Sequence, residues 1–269
     1  MDDERLVAVS PRHSVLLSQE YLSFVDRAPR RDYVVRTLAK RQIGNMTLMS
    51  GDLVIASEDT RAEFPLAARY PLHFRKAYFP GQMHDDPSVE FELHTAASTL
   101  ISVPPPIGHT PNTFRSCLLP GRPYEKLSPF GLEPEEANIA EAEKLSLAAA
   151  AGLFRLVEEA FGHVLALHSG GLAHGDLELH NLIVCSTPLE ILPIDFETAV
   201  RREGVTEETW NERCAADRRL LLREALFLQC TLGRQENAIA EYCEAELDTL
   251  VKSPKRFRKA IMQRSNMSA

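Results

Sequence analysis

Leu172-Ala173-His174-Gly175-Asp176-Leu177-Glu178-Leu179-His180-Asn181 runs directly into Leu182-Ile183-Val184-Cys185, and a short loop later comes Leu189-Glu190-Ile191-Leu192-Pro193-Ile194-Asp195-Phe196. The two apolar runs read as short strands joined by a tight turn, each with an acid or amide at its mouth. Asn181 stands five positions after Asp176, and Asp195 fourteen after Asn181. Singly, each polar residue has an ordinary explanation: Asp176 as a helix cap, Asn181 as a turn residue, Asp195 as a strand-end acid. Jointly they demand two spacings, a Leu-Ile-Val strand after the Asn and an Ile-Asp-Phe after the second strand, so coincidence is a poor account of them.

On the N-terminal side, the segments 33–38, 46–48 and 53–55 are strand-like, with Gly44 and Gly51 as turn punctuation. A polar loop is expected over 57–63. Residues 72–79 read as a further strand ended by Pro80-Gly81, on which Leu72, Phe74, Lys76 and Tyr78 share one face by the period of two. Lys76 therefore sits among apolar neighbours, where a lysine ordinarily needs a charged partner. The spacing predicts a helix over 88–100, with Glu90, Leu93, Ala97 and Leu100 on one face, stopped by Pro104-Pro105-Pro106. Two short runs follow, at 107–108 and 114–119, before the turn Pro120-Gly121-Arg122-Pro123. From 135 to 168 the chain is rich in Ala, Leu and Glu and predicts two helices, divided near Gly152. The expected division is an N-terminal extension over 1–31 with little regular pattern, a sheet-bearing lobe over 32–119 and a helical lobe over 120–269.

Composition narrows the function classes. The 269 residues are 44% hydrophobic and 25% charged, an ordinary globular balance. The formal net charge of −8 argues against a broad grip on nucleic acid, which needs clustered Lys and Arg. One basic stretch, Lys252 to Arg264, suits a solvated terminal helix, or contact with an acidic partner or a membrane surface. Five cysteines without a CxxC pair indicate buried free thiols rather than disulfides or a zinc site. The acidic first residues precede no apolar stretch of signal-peptide type, and no run approaches the roughly 20 apolar residues of a membrane span. A cytoplasmic location is expected.

An Asp, an Asn and a second Asp in this order suit phosphoryl transfer, which needs a positioned hydroxyl and cations on the triphosphate more than covalent help. The chain resembles the protein-kinase-like superfamily, and within it the atypical branch of aminoglycoside phosphotransferase, RIO and lipopolysaccharide-kinase proteins. Gly175 stands where ordinary protein kinases carry Arg. Ile194-Asp195-Phe196-Glu197-Thr198-Ala199 looks like the I-D-[WF]-E-x-A pattern, and Leu118-Leu119-Pro120-Gly121 looks like a hinge segment. The resemblance covers roughly residues 32 to 235, with strong motifs only between 172 and 199.

It implies an α+β, bilobal protein-kinase-like fold with a small antiparallel-sheet N-lobe and a helical C-lobe with a shortened end. It implies ATP and Mg²⁺ as cofactors, and as acceptor a hydroxyl of a protein Ser/Thr, a small molecule or a glycan. Asp176 would act as catalytic base, and Asn181 and Asp195 as metal ligands. Lys76 would pair the α- and β-phosphates with Glu90 holding it, while Leu118 and Leu119 would offer backbone groups to adenine. Glu92 is a rival for Glu90, and a Lys76 snorkelling to water is the plain alternative. Asp217 resembles the buried helix acid that braces the catalytic loop, or is simply an acid near a helix start. No G-x-G-x-x-G follows the first strand, Glu178 stands where serine/threonine kinases carry Lys, and no A-P-E segment follows Asp195. The competing class is a nucleotide-binding pseudokinase acting as a binding or scaffold module. Nothing in the sequence reads out the oligomeric state.

Overall fold

A computed structural model describes residues 4–43, 45–79, 86–128 and 147–233. Its elements in chain order are β1 (Arg5–Ala8), β2 (Ser14–Leu17), α1 (Gln19–Arg27), β3 (Tyr33–Ile43), β4 (Met46–Ile55), α2 (Glu58–Glu63), α3 (Pro65–Arg69), β5 (Leu72–Tyr78), α4 (Pro87–Leu100), β6 (Pro106–Thr110), β7 (Thr113–Cys117) and β8 (Gly121–Pro123). There follow α5 (Leu147–Ser169), β9 (Leu172–Ala173), β10 (Leu182–Ser186), β11 (Leu189–Pro193), β12 (Val200–Arg201) and α6 (Glu207–Gly233). The chain packs as two compact units, one of Met1–Gly121 with Ile183–Thr198, the other of Arg122–Leu182 with Ala199–Ala269. A small antiparallel sheet with its helix in one unit and long helices in the other give the α+β make-up expected from the sequence.

The first unit is built on five antiparallel strands in the order β3-β4-β5-β7-β6. Tyr33, Val34, Val35 and the alternating apolar residues of β4 and β5 suit a half-buried pleated surface. Gly51 does not end a strand as expected but lies inside β4, opposite Lys76 of β5. A β-carbon there would come within 3.1 Å of the Phe74 ring, so the glycine admits that ring rather than turning the chain. The expected turn at Pro80-Gly81 and the expected role of Gly44 lie outside the described residues.

Residues 57–63 are not the expected polar loop. Ser57 caps α2, its hydroxyl accepting from Thr60 N at 3.2 Å, and Glu58 and Asp59 fill the first turn, where carboxylates are favoured. Helix α4 is opened by Asp86, which accepts from Ser88 N at 2.9 Å, with Pro87 at its first position. Its buried stripe includes Glu90, Leu93, His94 and Ala97.

The N-terminal segment, without a legible pattern in the sequence, is structured. β1 and β2 pair as a hairpin, and Val7, Val9, Leu17, Leu22 and Val25 form one core cluster with Ile55 and Leu72 of the sheet. At about 1.5–3 kcal/mol for each fully buried aliphatic side chain, this cluster stabilises the unit substantially.

In the second unit α5 runs unbroken through Gly152, so the expected division there does not occur; residues 135–146 of that prediction lie outside the described residues. An exposed helix tolerates a glycine at a cost of about 1 kcal/mol against alanine. β12 pairs antiparallel with β9. Cys117, Cys185 and Cys214 are buried free thiols, and among the described residues no helix is long and apolar enough to cross a membrane. The basic stretch 252–264 lies outside the described residues.

Candidate active site

Lys76 is 3% exposed, in the middle of β5 between Gly51 of β4 and Phe114 of β7. Its ammonium donates to Asp195 Oδ1 at 2.8 Å and to Glu197 Oε2, and stands 3.4 Å from Glu90 Oε2. The snorkelling alternative therefore does not describe it. Glu90 is buried on α4, whereas Glu92 is exposed. Tyr78, next on the Lys76 face of β5, donates its phenol to the same Glu90 oxygen.

Asp195 reaches this cluster from beyond β11. Phe196 is fully buried, its ring edge-on to His94 of α4 at 5.2 Å, and so anchors the segment to the helix that carries Glu90. Asp195 itself holds a φ of 67°, the left-handed region that few side chains adopt and that Asp tolerates better than most. Its side chain is thereby aimed at Lys76 while its neighbour is aimed at the core.

Three carboxylates meet one ammonium here, and the charges do not cancel. Burial alone would lower the Lys76 pKa, but the carboxylates of Glu90, Asp195 and Glu197 outweigh it and hold the amine charged well above its usual range. Burial raises Glu90 to about 7 against the pull of Lys76, with the charges of Asp195 and Glu197 adding to the rise. Glu90 is the deepest of the three acids.

In the second unit, Asp176 is exposed on the loop after β9, and Asn181 is buried in the short 3₁₀ turn that leads into β10. Asn181 Nδ2 donates to the Asp176 carbonyl at 3.0 Å, so the two predicted residues share one local brace. Asp217, 1% exposed on α6, accepts from His174 N at 2.8 Å and from Gly175 N at 2.9 Å, and its Oδ2 lies 2.9 Å from His168 Nε2. Of its two readings, the brace on the 174–176 loop is the one the contacts support. Gly175 adopts φ 81°, which glycine takes without penalty, and its carbonyl accepts from Arg213 at 3.0 Å.

Leu118 and Leu119 follow β7. Leu118 packs against the N-terminal core cluster, and the Leu119 carbonyl accepts from Gly121 N at 2.9 Å in a tight turn. Sequence reasoning gave no role to Glu197, Tyr78, His168 or Arg213. Two of them had a signal: Glu197 is two positions from Asp195, and Tyr78 is two from Lys76, the spacing of one face on an extended chain. His168 and Arg213 had none, because their partners are set by tertiary packing.

Oxygens of Glu90, Asp195 and Glu197 lie within 4.8 Å of one another. An all-carboxylate donor set suits a hard cation such as Mg²⁺ rather than a soft one. The buried Lys76 ammonium beside it suits phosphate oxygens.

No protein-family model and no curated protein sequence matches this chain. Among solved structures, the Mycobacterium tuberculosis PknI kinase domain is similar at 18% identity, covering 73% of this chain and 73% of its own, with a TM-score of 0.43.

Proposed function

We propose that this chain is an ATP- and Mg²⁺-dependent phosphotransferase of the atypical kinase type, moving the γ-phosphate of ATP to a hydroxyl of a protein, a small molecule or a glycan. The observation that carries the reading is the meeting of buried Lys76 and Glu90 with half-buried Asp195 in one charge cluster. Those residues were singled out from the sequence on separate grounds, a misplaced lysine, a helix acid and a motif aspartate, and chance seldom assembles such a set.

In this reading Lys76 exchanges carboxylate oxygens for those of the α- and β-phosphates, and Glu90 with Tyr78 keeps its ammonium in place. Asn181 and Asp195 would hold Mg²⁺, and Glu197, whose carboxylate lies near that of Asp195, would be a further oxygen donor. The metal supplies positive charge to the triphosphate. Asp176 orients the acceptor hydroxyl and takes its proton, on a loop whose amides Asp217 fixes. Leu118 and Leu119 present backbone groups to adenine.

The test is incubation with labelled ATP, Mg²⁺, a cell lysate and a panel of hydroxylated metabolites, with wild type and Asp176→Ala side by side. Label transfer by wild type and not by the variant is expected. Stabilisation of the wild type by ATP with Mg²⁺, without any transfer, would favour the scaffold module instead.

A further inference from the structure

A cavity of about 570 Å³ lies within the first unit, away from Lys76. It is bounded by the turn at residues 10–13, by the last turn of α4 with the loop after it, and by β11. Its volume falls within the range of small-molecule sites, commonly about 300–1,000 Å³. Ile101, Val103, Pro104, Leu119 and Leu192 supply apolar wall.

The polar side of this cavity holds one buried acid, Glu190, and one half-exposed base, Arg12. Glu190 lines it with a carboxylate that is only 5% exposed, and the C-terminal turn of α4, the negative end of the helix dipole, is part of its wall. His13, equally buried, stands with Nε2 3.0 Å from Glu190 Oε1, and its Nδ1 is 2.8 Å from Ser10 Oγ. Oε1 thus faces an imidazole nitrogen and Oε2 a guanidinium. Burial and the Arg12 charge lower the His13 pKa against the pull of Glu190, so the imidazole adds no lasting positive charge.

Arg12 is the one full cation among the described residues that line the cavity. Its guanidinium reaches Glu190 Oε2 at 2.6 Å, yet its side chain stays 53% exposed, so it closes the carboxylate from the solvent side. A buried carboxylate whose charged partner is a half-solvated guanidinium can exchange that partner for another planar cation.

We propose that this cavity binds a small organic cation, an amidinium or guanidinium on a flat apolar body, whose charged head takes the place of Arg12 on Glu190. The apolar body lies against Ile101, Pro104 and Leu192. An anion of the same shape would meet the buried Glu190 carboxylate and be refused. This site needs no nucleotide and stands apart from the phosphotransferase reading, so either can fail alone.

The experiment uses the full chain without nucleotide, titrated by calorimetry and thermal shift with benzamidinium chloride, and in parallel with benzoate and benzamide. Wild type is expected to bind benzamidinium alone. Glu190→Gln, which keeps the shape of the side chain, weakens that binding about tenfold or more. Arg12→Ala, at a half-exposed position, strengthens it by removing the internal competitor. Ser102→Trp, at the exposed rim, blocks it without touching the charge pair. The proposal is overturned if benzamidinium binds neither wild type nor Arg12→Ala, if Glu190→Gln binds it as well as wild type, or if benzoate is the preferred ligand.

Discussion

Lys76 Nζ on β5 and Asp195 Oδ1 beyond β11 lie 2.8 Å apart, although 119 residues separate them in the chain. Two local features make that meeting possible. Gly51 opposite Lys76 leaves room for the Phe74 ring beside the lysine, and buried Phe196 fastens Asp195 next to α4. The lysine thus has its counter-charges in place without leaving the interior of the sheet.

Replacing Asp195 by Ala takes away one of the oxygens on Lys76 and, on the proposed function, a metal ligand. Nucleotide binding that depends on Mg²⁺ should fall by two orders of magnitude or more, about 3 kcal/mol. Calorimetric titration with ATP, with and without Mg²⁺, checks this. Unchanged Mg²⁺-dependent affinity would remove Asp195 from the metal site.

Among the described residues the Asp176 side chain makes no hydrogen bond, and Asp217, Arg213 and Asn181 hold the 174–176 loop through its backbone. Asp176→Ala should therefore leave stability within about 0.5 kcal/mol. It should also spare ATP binding while lowering transfer by a factor of about 10³ or more, the pattern of a group used in the transition state only. Transfer at the wild-type rate would disprove the assigned role.

How much of this was legible in the sequence follows from how far each signal reaches. Asp176, Asn181 and Asp195 announce themselves by fixed spacing, and Lys76 and Glu90 by polar intrusion on apolar faces, so local periodicity sufficed. Residues 57–63 misled because polarity was read before capping; Ser57 followed by Glu58 and Asp59 is a helix start. Gly51 misled because a glycine in a strand can signal a close approach as well as a turn, and only the register of β5 shows which. The N-terminal segment was opaque because Val7, Leu17 and Leu22 find their partners at Ile55 and Leu72, far along the chain. Asp217 could be proposed as a brace from resemblance, but its two amide partners belong to the tertiary structure.

Glu90 ties stability to pH. Its carboxyl is raised from 4.5 to about 7 in the folded chain, so between those values the unfolded state releases the proton while the folded state keeps it. Stability from this group is full below pH 4.5 and falls as pH rises toward 7, with a slope of up to about 1.4 kcal/mol per pH unit. Glu90→Gln, which cannot ionise, should flatten that segment of the profile. Urea unfolding from pH 4.5 to 8 measures it, and parallel curves for the two proteins would show that Glu90 is not the group responsible.

Asp217 carries two backbone amides and faces His168 from a buried position. Asp217→Ala leaves those donors without their acceptor, which should cost roughly 3 kcal/mol. Since the same amides fix the loop that presents Asp176, transfer should fall even under conditions where the variant remains folded. Urea denaturation and assays well below the unfolding midpoint separate the two effects; a stability change under 0.5 kcal/mol would show that the amides find other partners.

Two glycines should respond to alanine with opposite signs. At Gly121 a β-carbon would sit 2.4 Å from the Val184 carbonyl oxygen and 2.7 Å from Ile183 Cγ2, and the first of these is backbone that cannot rotate aside. Gly121→Ala should therefore cost about 2 kcal/mol through forced displacement of β10. At Gly152, exposed within α5, a β-carbon would meet nothing within 4 Å. Gly152→Ala should add about 0.5–1 kcal/mol by restricting the unfolded chain and favouring the helix. Denaturation midpoints for the pair test the packing at one site and the continuity of the helix at the other, because a helix broken at Gly152 would gain nothing from alanine.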